Sequence, residues 1–294
     1  MVKTGQKNFK KDMRWIKKMK FKFLGTAAAE AVPAFYCNCD ICEKSRKLKG
    51  KNIRTRSQAL INDDLLIDFP ADTYLHIIRD GLKLHEIEHI LITHNHSDHF
   101  YPGDILMRAP GFSNLKKKRP LNVYGSKDIV DVLKKEELVK KMEEPNWLIM
   151  HELKEFIPFF VLDYKITPLK ADHGSIANPF MYLIEQDGKS VLYAHDTDFF
   201  PEETMDYLKE AKPNINFATF DCCYSLMNKD RGHLGFWEVL EMKKRLEEIG
   251  VITDKTICVV NHFSHNNGQL YEDMQNHSEK FGILTSYDGM KLEF

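Results

Sequence analysis

Short apolar runs recur along the chain, set apart by polar turns and by stretches with helical spacing. Phe21-Lys22-Phe23-Leu24, Ala59-Leu60-Ile61, Leu65-Leu66-Ile67-Asp68, His89 to Thr93 and Leu121-Asn122-Val123-Tyr124 read as strands. Asn62-Asp63-Asp64 reads as a hairpin turn between two of them. Trp147 to Leu169 holds several more strands. Phe180 to Glu185 and Ser190 to Ala194 pair across Gln186-Asp187-Gly188. Asn216 to Phe220 and Thr256 to Val260 follow, and Gly282-Ile283-Leu284 and Met290-Lys291-Leu292 close the chain. Helical spacing marks Asp72 to Leu82, Gly103 to Ala109, a stretch capped by Ser126 and running to about Met142, and Glu202 to Ala211. The clearest apolar stripe, Phe236, Val239, Leu240 and Leu246, lies in a helix expected over Leu234 to Ile249. Strands and helices interleave, hairpins occur in both halves, and no repeat or low-complexity linker divides them. The expectation is an α/β fold: two mixed sheets face to face with helices outside, an αββα four-layer sandwich.

Composition changes this picture only at the N-terminus. The chain has 294 residues, 43% hydrophobic and 29% charged, enough for an ample core. Its formal net charge of −1 gives no global drive toward nucleic acid or an anionic membrane. Residues 1–18 are lysine-rich and read as a basic, solvated extension, with residues 19–294 forming one domain. That extension lacks the apolar core and cleavage site of a signal peptide, and no apolar run approaches a membrane span. The expected location is the cytoplasm.

Chemistry concentrates where strands end. Ile90-Leu91-Ile92 leads through Thr93 into His94-Asn95-His96-Ser97-Asp98-His99. Alternation puts His94 and His96 on one side of an extended segment, and Asp98 and His99 follow as the chain turns away. Three imidazoles and a carboxylate so close together suit a borderline divalent metal such as zinc or manganese. The loop is too tight for one metal to use all four, but two metals can share them and activate water. His173, Asp196 and His262 each follow an apolar strand and precede a turn, extending the candidate ligand set. A second cluster is Cys37-Asn38-Cys39-Asp40-Ile41-Cys42, three of the six cysteines. In a reducing compartment that spacing reads as a structural zinc site one ligand short of closure, and His265, three residues after His262, is the candidate fourth.

The Thr-His-x-His-x-Asp-His signature resembles that of the metallo-β-lactamase-fold hydrolases. The resemblance implies the αββα architecture and assigns the ligands. His94, His96 and His173 would hold one metal, Asp98, His99 and His262 the other, and Asp196 would bridge them. Asp68 resembles the family's aspartate behind the ligands, which orients an imidazole. The cysteine cluster with His262-Phe263-Ser264-His265, together with Leu24-Gly25-Thr26 and Ala31-Val32-Pro33-Ala34, looks like the branch that contains the cyclic phosphodiesterase of bacterial phosphonate breakdown. That branch carries a proton-donating histidine at the place of His233. Gly235 departs from it, since relatives often have a polar helix cap there.

The function so implied is a phosphodiesterase acting on small cyclic diesters through a hydroxide bridging two metals, with Asp98 and His233 catalytic. Arg54 and Arg56 are candidates to clamp the substrate phosphate, because guanidinium matches phosphate geometry. The partner expected is a small-molecule phosphodiester rather than a nucleic acid duplex or a membrane, and a homodimer is open. Two other readings remain: an accessory or oxidative protein like protein B of pyrroloquinoline-quinone biosynthesis, and a nuclease like the tRNA 3′-processing enzymes. The second would need an extended tRNA-binding arm, and no insertion here resembles one.

Overall fold

A computed structural model describes residues 18–143, 146–174, 176, 178–227, 232–266 and 268–294. Almost all of the basic N-terminal extension lies outside them. The first half of the chain supplies strands β1 (Lys20–Gly25), β2 (Gln58–Ile61), β3 (Leu65–Ile67), β4 (His89–Leu91), β5 (Leu121–Gly125) and β6 (Leu148–Glu152). The second supplies β7 (Phe159–Val161), β8 (Tyr164–Lys170), β9 (Phe180–Gln186), β10 (Lys189–Ala194), β11 (Phe217–Asp221), β12 (Ile257–Asn261) and β13 (Ile283–Thr285). The last strand, β14 (Lys291–Glu293), crosses back to pair antiparallel with β1. Two seven-stranded mixed sheets result, ordered β14-β1-β2-β3-β4-β5-β6 and β13-β12-β11-β10-β9-β8-β7. The α/β sandwich expected from the sequence is the one observed.

Strands this short and this apolar are buried on both faces. Along β3, Leu65 and Ile67 point between the sheets while Leu66 points outward. Leu91 of β4 likewise points inward, and its neighbours Ile90 and Ile92 outward. Between the sheets, Phe21, Phe23 and Ile67 meet Tyr182, Tyr193 and Phe217. Each such side chain contributes about 1.5–3 kcal/mol by leaving water.

Helices cover the outer faces. They are α1 (Asp40–Leu48), α2 (Thr73–Asp80), α3 (Pro102–Ile105), α4 (Lys127–Lys135), α5 (Glu137–Glu143), α6 (Glu202–Ala211), α7 (Phe236–Glu248) and α8 (Tyr271–Ser278). Phe236, Val239, Met242 and Leu246 of α7 pack on Leu192, Ala218 and Val260 of the second sheet. The single helix expected from Ser126 to Met142 is instead two, broken at Glu136, whose backbone is extended. The stripe Ile129, Val130 and Leu133 would need apolar residues at 136 and 137, and both are glutamates. The break resets the phase so that Val139 and Met142 are buried. Helix α1 was not legible in the apolar pattern because only Cys42 and Ser45 on it are buried.

The arrangement positions a site by direction. Strands β3 and β4 are parallel, as are β10, β11 and β12, so their carboxyl ends gather in two groups. Asp68, Asp196 and His262 follow β3, β10 and β12, and each has a left-handed backbone, with φ of 65°, 49° and 64°. Non-glycine residues rarely adopt that conformation, which costs about 1–3 kcal/mol and concentrates at functional sites. Here it turns the chain sharply at three strand ends. Among the described residues no helix is long and apolar enough to cross a membrane.

Candidate metal centre

The strand ends bring the candidate ligands into two adjoining groups. In the first, His94 Nε2 lies 3.0 Å from His96 Nδ1, and His173 Nε2 lies 3.1 Å from the same atom. Ring nitrogens on a tetrahedral zinc are about 3.3 Å apart, given Zn–N lengths of about 2.0–2.1 Å. His173 keeps Nε2 free because its Nδ1 lies 3.1 Å from the Gly232 carbonyl, to which it donates. Burial holds His94 well below the ordinary imidazole value, and the His99 charge adds to this, so the ring stays neutral as a ligand must.

In the second group the ligand atoms of Asp98, His99, Asp196 and His262 all lie within 4.8 Å of one another. Asp196 stands between the groups: Oδ2 is 2.5 Å from His99 Nε2 and 3.4 Å from His94 Nε2, and Oδ1 is 3.0 Å from His262 Nε2. Yet Oδ1 is buried without a hydrogen-bond partner. A buried, orphaned carboxylate oxygen ringed by imidazoles fits a cation, and the oxygen–nitrogen donor set suits zinc or manganese. Behind His99, Asp68 Oδ2 accepts from Nδ1 at 2.7 Å, while its Oδ1 accepts the N–H and hydroxyl of Thr93 at 2.8 and 2.9 Å. Asp68 therefore ties the β3 end to the start of the histidine loop and fixes the tautomer of one ligand.

A family profile described as the beta-lactamase superfamily domain matches residues 67–256, which span all of these strand ends but that of β12. The chain belongs to the metallo-β-lactamase superfamily. A solved diphosphatase from the PhnP family superposes over 95% of this chain and 98% of its own, with a TM-score of 0.71 at 20% identity. Zinc-bound PqqB from Methylobacterium extorquens superposes over 94% and 100%, with a TM-score of 0.65 at 19% identity. Ribonuclease Z of Listeria monocytogenes is 26% identical over 60% of this chain and 52% of its own. The chain spans between about a third and a half of the length of the curated relatives it matches.

Within this superfamily fold, Asp221 is a residue that the motif reading passed over. It is fully buried at the end of β11. Its Oδ1 accepts the backbone N–H groups of Cys223 and Leu234 at 2.9 and 3.2 Å. Its Oδ2 accepts the Asp196 N–H at 3.1 Å and His233 Nδ1 at 2.9 Å. Burial disfavours protonation of His233, but the charge and hydrogen bond of Asp221 outweigh it and raise the pKa to about 9. Its signal was the same as for the ligands, an acid ending an apolar strand. Gly235, the departure noted next to His233, has a steric reason: a Cβ there would come 3.0 Å from the Met227 carbonyl and 2.8 Å from Glu238 Oε2. The side chain of Glu238 accepts the Gly235 N–H at 3.1 Å, the half of a capping box that needs no side chain at the cap position.

The cysteine cluster also converges. Ligand atoms of Cys37, Cys39, Cys42 and His265 lie within 4.8 Å of one another, and Cys39 Sγ is 3.6 Å from His265 Nδ1. A tetrahedral zinc with sulfur and nitrogen ligands places such atoms about 3.6 Å apart. The C-x₂-C spacing works because Cys39 caps α1 and Cys42 lies in its first turn, one above the other. The hydrogen bond with His265 lowers the Cys39 thiol to about 6, which favours the metal-binding thiolate.

The two arginines require correction. Arg54 is buried and does not line the pocket beside the ligands. Its Nη1 donates to Thr26 Oγ1 at 2.9 Å and to the Ser286 carbonyl at 2.8 Å, and its guanidinium lies 4.2 Å from the Phe263 ring centre. Arg56 is also absent from the pocket wall: its Nε donates to the Ala29 carbonyl at 2.9 Å and its guanidinium covers Phe35. Both pair by isolated backbone bridges with the loop before the cysteines, Arg54 with Val32 and Arg56 with Ala27, and their guanidinium groups bind that loop at Thr26 and Ala29.

Proposed function

We propose that the chain is a metal-dependent phosphodiesterase that acts on small, strained cyclic diesters. The observation that carries this reading is the Asp221–His233 pair beside Asp196, at the wall of a cavity of about 280 Å³. A hydrolase of activated esters has less need of a separate acid for its leaving group. A sugar alkoxide leaves poorly without a proton, and a histidine held protonated at neutral pH supplies one.

Bound at His94, His96, His173, Asp196, Asp98, His99 and His262, two divalent metals supply an activated water and offset the charge of the phosphate oxygens. The residues do the rest. Asp98, which lines the cavity, takes the proton of the attacking water. As the water oxygen bonds to phosphorus, the bond from phosphorus to the ring alkoxide breaks, and His233 Nε2 gives its proton to that alkoxide. Asp221 holds Nδ1 throughout and stabilises the imidazolium. Asp68 and the Gly232 carbonyl keep His99 and His173 in fixed tautomers. Cys37, Cys39, Cys42 and His265 would hold a structural zinc, which would tie the N-terminal loop to the segment carrying His262.

The test is hydrolysis of bis(p-nitrophenyl) phosphate. Turnover is expected in metallated protein, loss of it after chelation, and recovery with zinc or manganese. Fully metallated protein that hydrolyses neither this ester nor a ribose cyclic phosphate moves the function to an accessory role.

A further inference from the structure

The cavity beside the candidate ligands is also lined by a carboxylate that is not one of them, Glu30. Glu30 lies on the loop between β1 and α1, and its neighbour Ala31 has a left-handed backbone with φ of 61°. Glu30 Oε1 accepts hydrogen bonds from Ser264 Oγ and Asn266 Nδ2, both at 2.8 Å. Those donors flank His265 and follow His262 on the same segment. Asn266 also donates its backbone N–H to Ser264 Oγ at 3.1 Å, which closes the support. The second oxygen, Oε2, makes no hydrogen bond among the described residues. The side chain is 34% exposed, and Glu30 lines the cavity together with Ala28, Ala29, Tyr224 and the ligands. No lysine or arginine lines that cavity among the described residues.

Resting on the phosphodiesterase reading, we infer that Glu30 selects the substrate: a phosphodiester whose non-reacting end donates hydrogen bonds and carries no second phosphate. The reacting phosphate has the metals to neutralise it. A second phosphate at the far end would meet the Glu30 carboxylate. Two like charges about 5 Å apart at a half-exposed site change binding by on the order of 10–100-fold. A hydroxyl at the same place donates to Oε2 and gains a charge-assisted hydrogen bond. The held Oε1 leaves the other oxygen preorganised for this.

A matched pair of substrates reads the effect: cytidine 2′,3′-cyclic phosphate with a free 5′-hydroxyl, and the same compound bearing a 5′-phosphate. Metallated wild-type protein is expected to favour the 5′-hydroxyl compound by about tenfold or more in kcat/KM. Glu30→Gln keeps an oxygen for Ser264 and Asn266 and should shrink that ratio to within about threefold, while Glu30→Arg should reverse it. A purely structural role would lower both rates alike and leave the ratio in place. Turnover of both compounds with no preference, or a preference that survives Glu30→Gln, overturns the inference and leaves the phosphodiesterase reading standing. No turnover of either by metallated wild-type protein overturns both.

Discussion

Replacement of His233 by alanine is expected to slow hydrolysis of a ribose cyclic phosphate by about 10²–10⁴-fold, the usual contribution of a positioned general acid. The same change should affect bis(p-nitrophenyl) phosphate much less. A nitrophenolate leaves without a proton, whereas a ribose alkoxide does not. The expectation rests on position and charge together. His233 lines the cavity, its Nδ1 is held 2.9 Å from Asp221, and the charge and hydrogen bond of that carboxylate outweigh burial and raise its pKa. Steady-state kinetics on both substrates decide it, and equal losses on the two would remove His233 as the acid.

Asp221→Ala should be the most damaging single change to stability near the centre, at about 3–5 kcal/mol. The side chain is fully buried and accepts backbone N–H groups from Asp196, Cys223 and Leu234 as well as His233. Its removal strands three buried donors and leaves a protonated histidine without its counter-charge. A loss of that size lowers Tm by on the order of 10 °C in a chain of this length. Calorimetry of metal-stripped protein measures this without the added effect of lost metal. Asp221→Asn preserves volume but sets an amide N–H₂ group among donors, and should weaken metal binding or activity by about 10–100-fold. An unchanged Tm for Asp221→Ala would show that those backbone groups find other partners.

Most of the candidate site was legible because its ligands share one local signature, a polar residue within three positions of the end of an apolar strand. Asp68, His94, Asp196 and His262 all carry it, and parallel strands point their ends the same way. Asp221 carries it too, but an acid that binds histidine and backbone rather than metal has no motif of its own. Arg54 and Arg56 misled because sequence shows charge and not its partners, which here are Thr26 and the Ala29 carbonyl on the loop. Glu30 escaped notice for a related reason: its support comes from Ser264 and Asn266, more than 200 positions away. In the fold, the four-layer arrangement followed from doubly buried strands. The break at Glu136 needed the phase of the stripe on both sides of it, and α1 offered too few buried residues to show a period.

The ligand geometry is expected to hold two metals with Asp196 between them. The direct measurement is a crystal structure of the metallated protein with anomalous scattering at the metal edge. Two peaks about 3–4 Å apart are expected, one bound by His94, His96 and His173, the other by Asp98, His99 and His262, with Asp196 touching both. A single fully occupied peak held only by His94, His96 and His173 would rule out a two-metal centre.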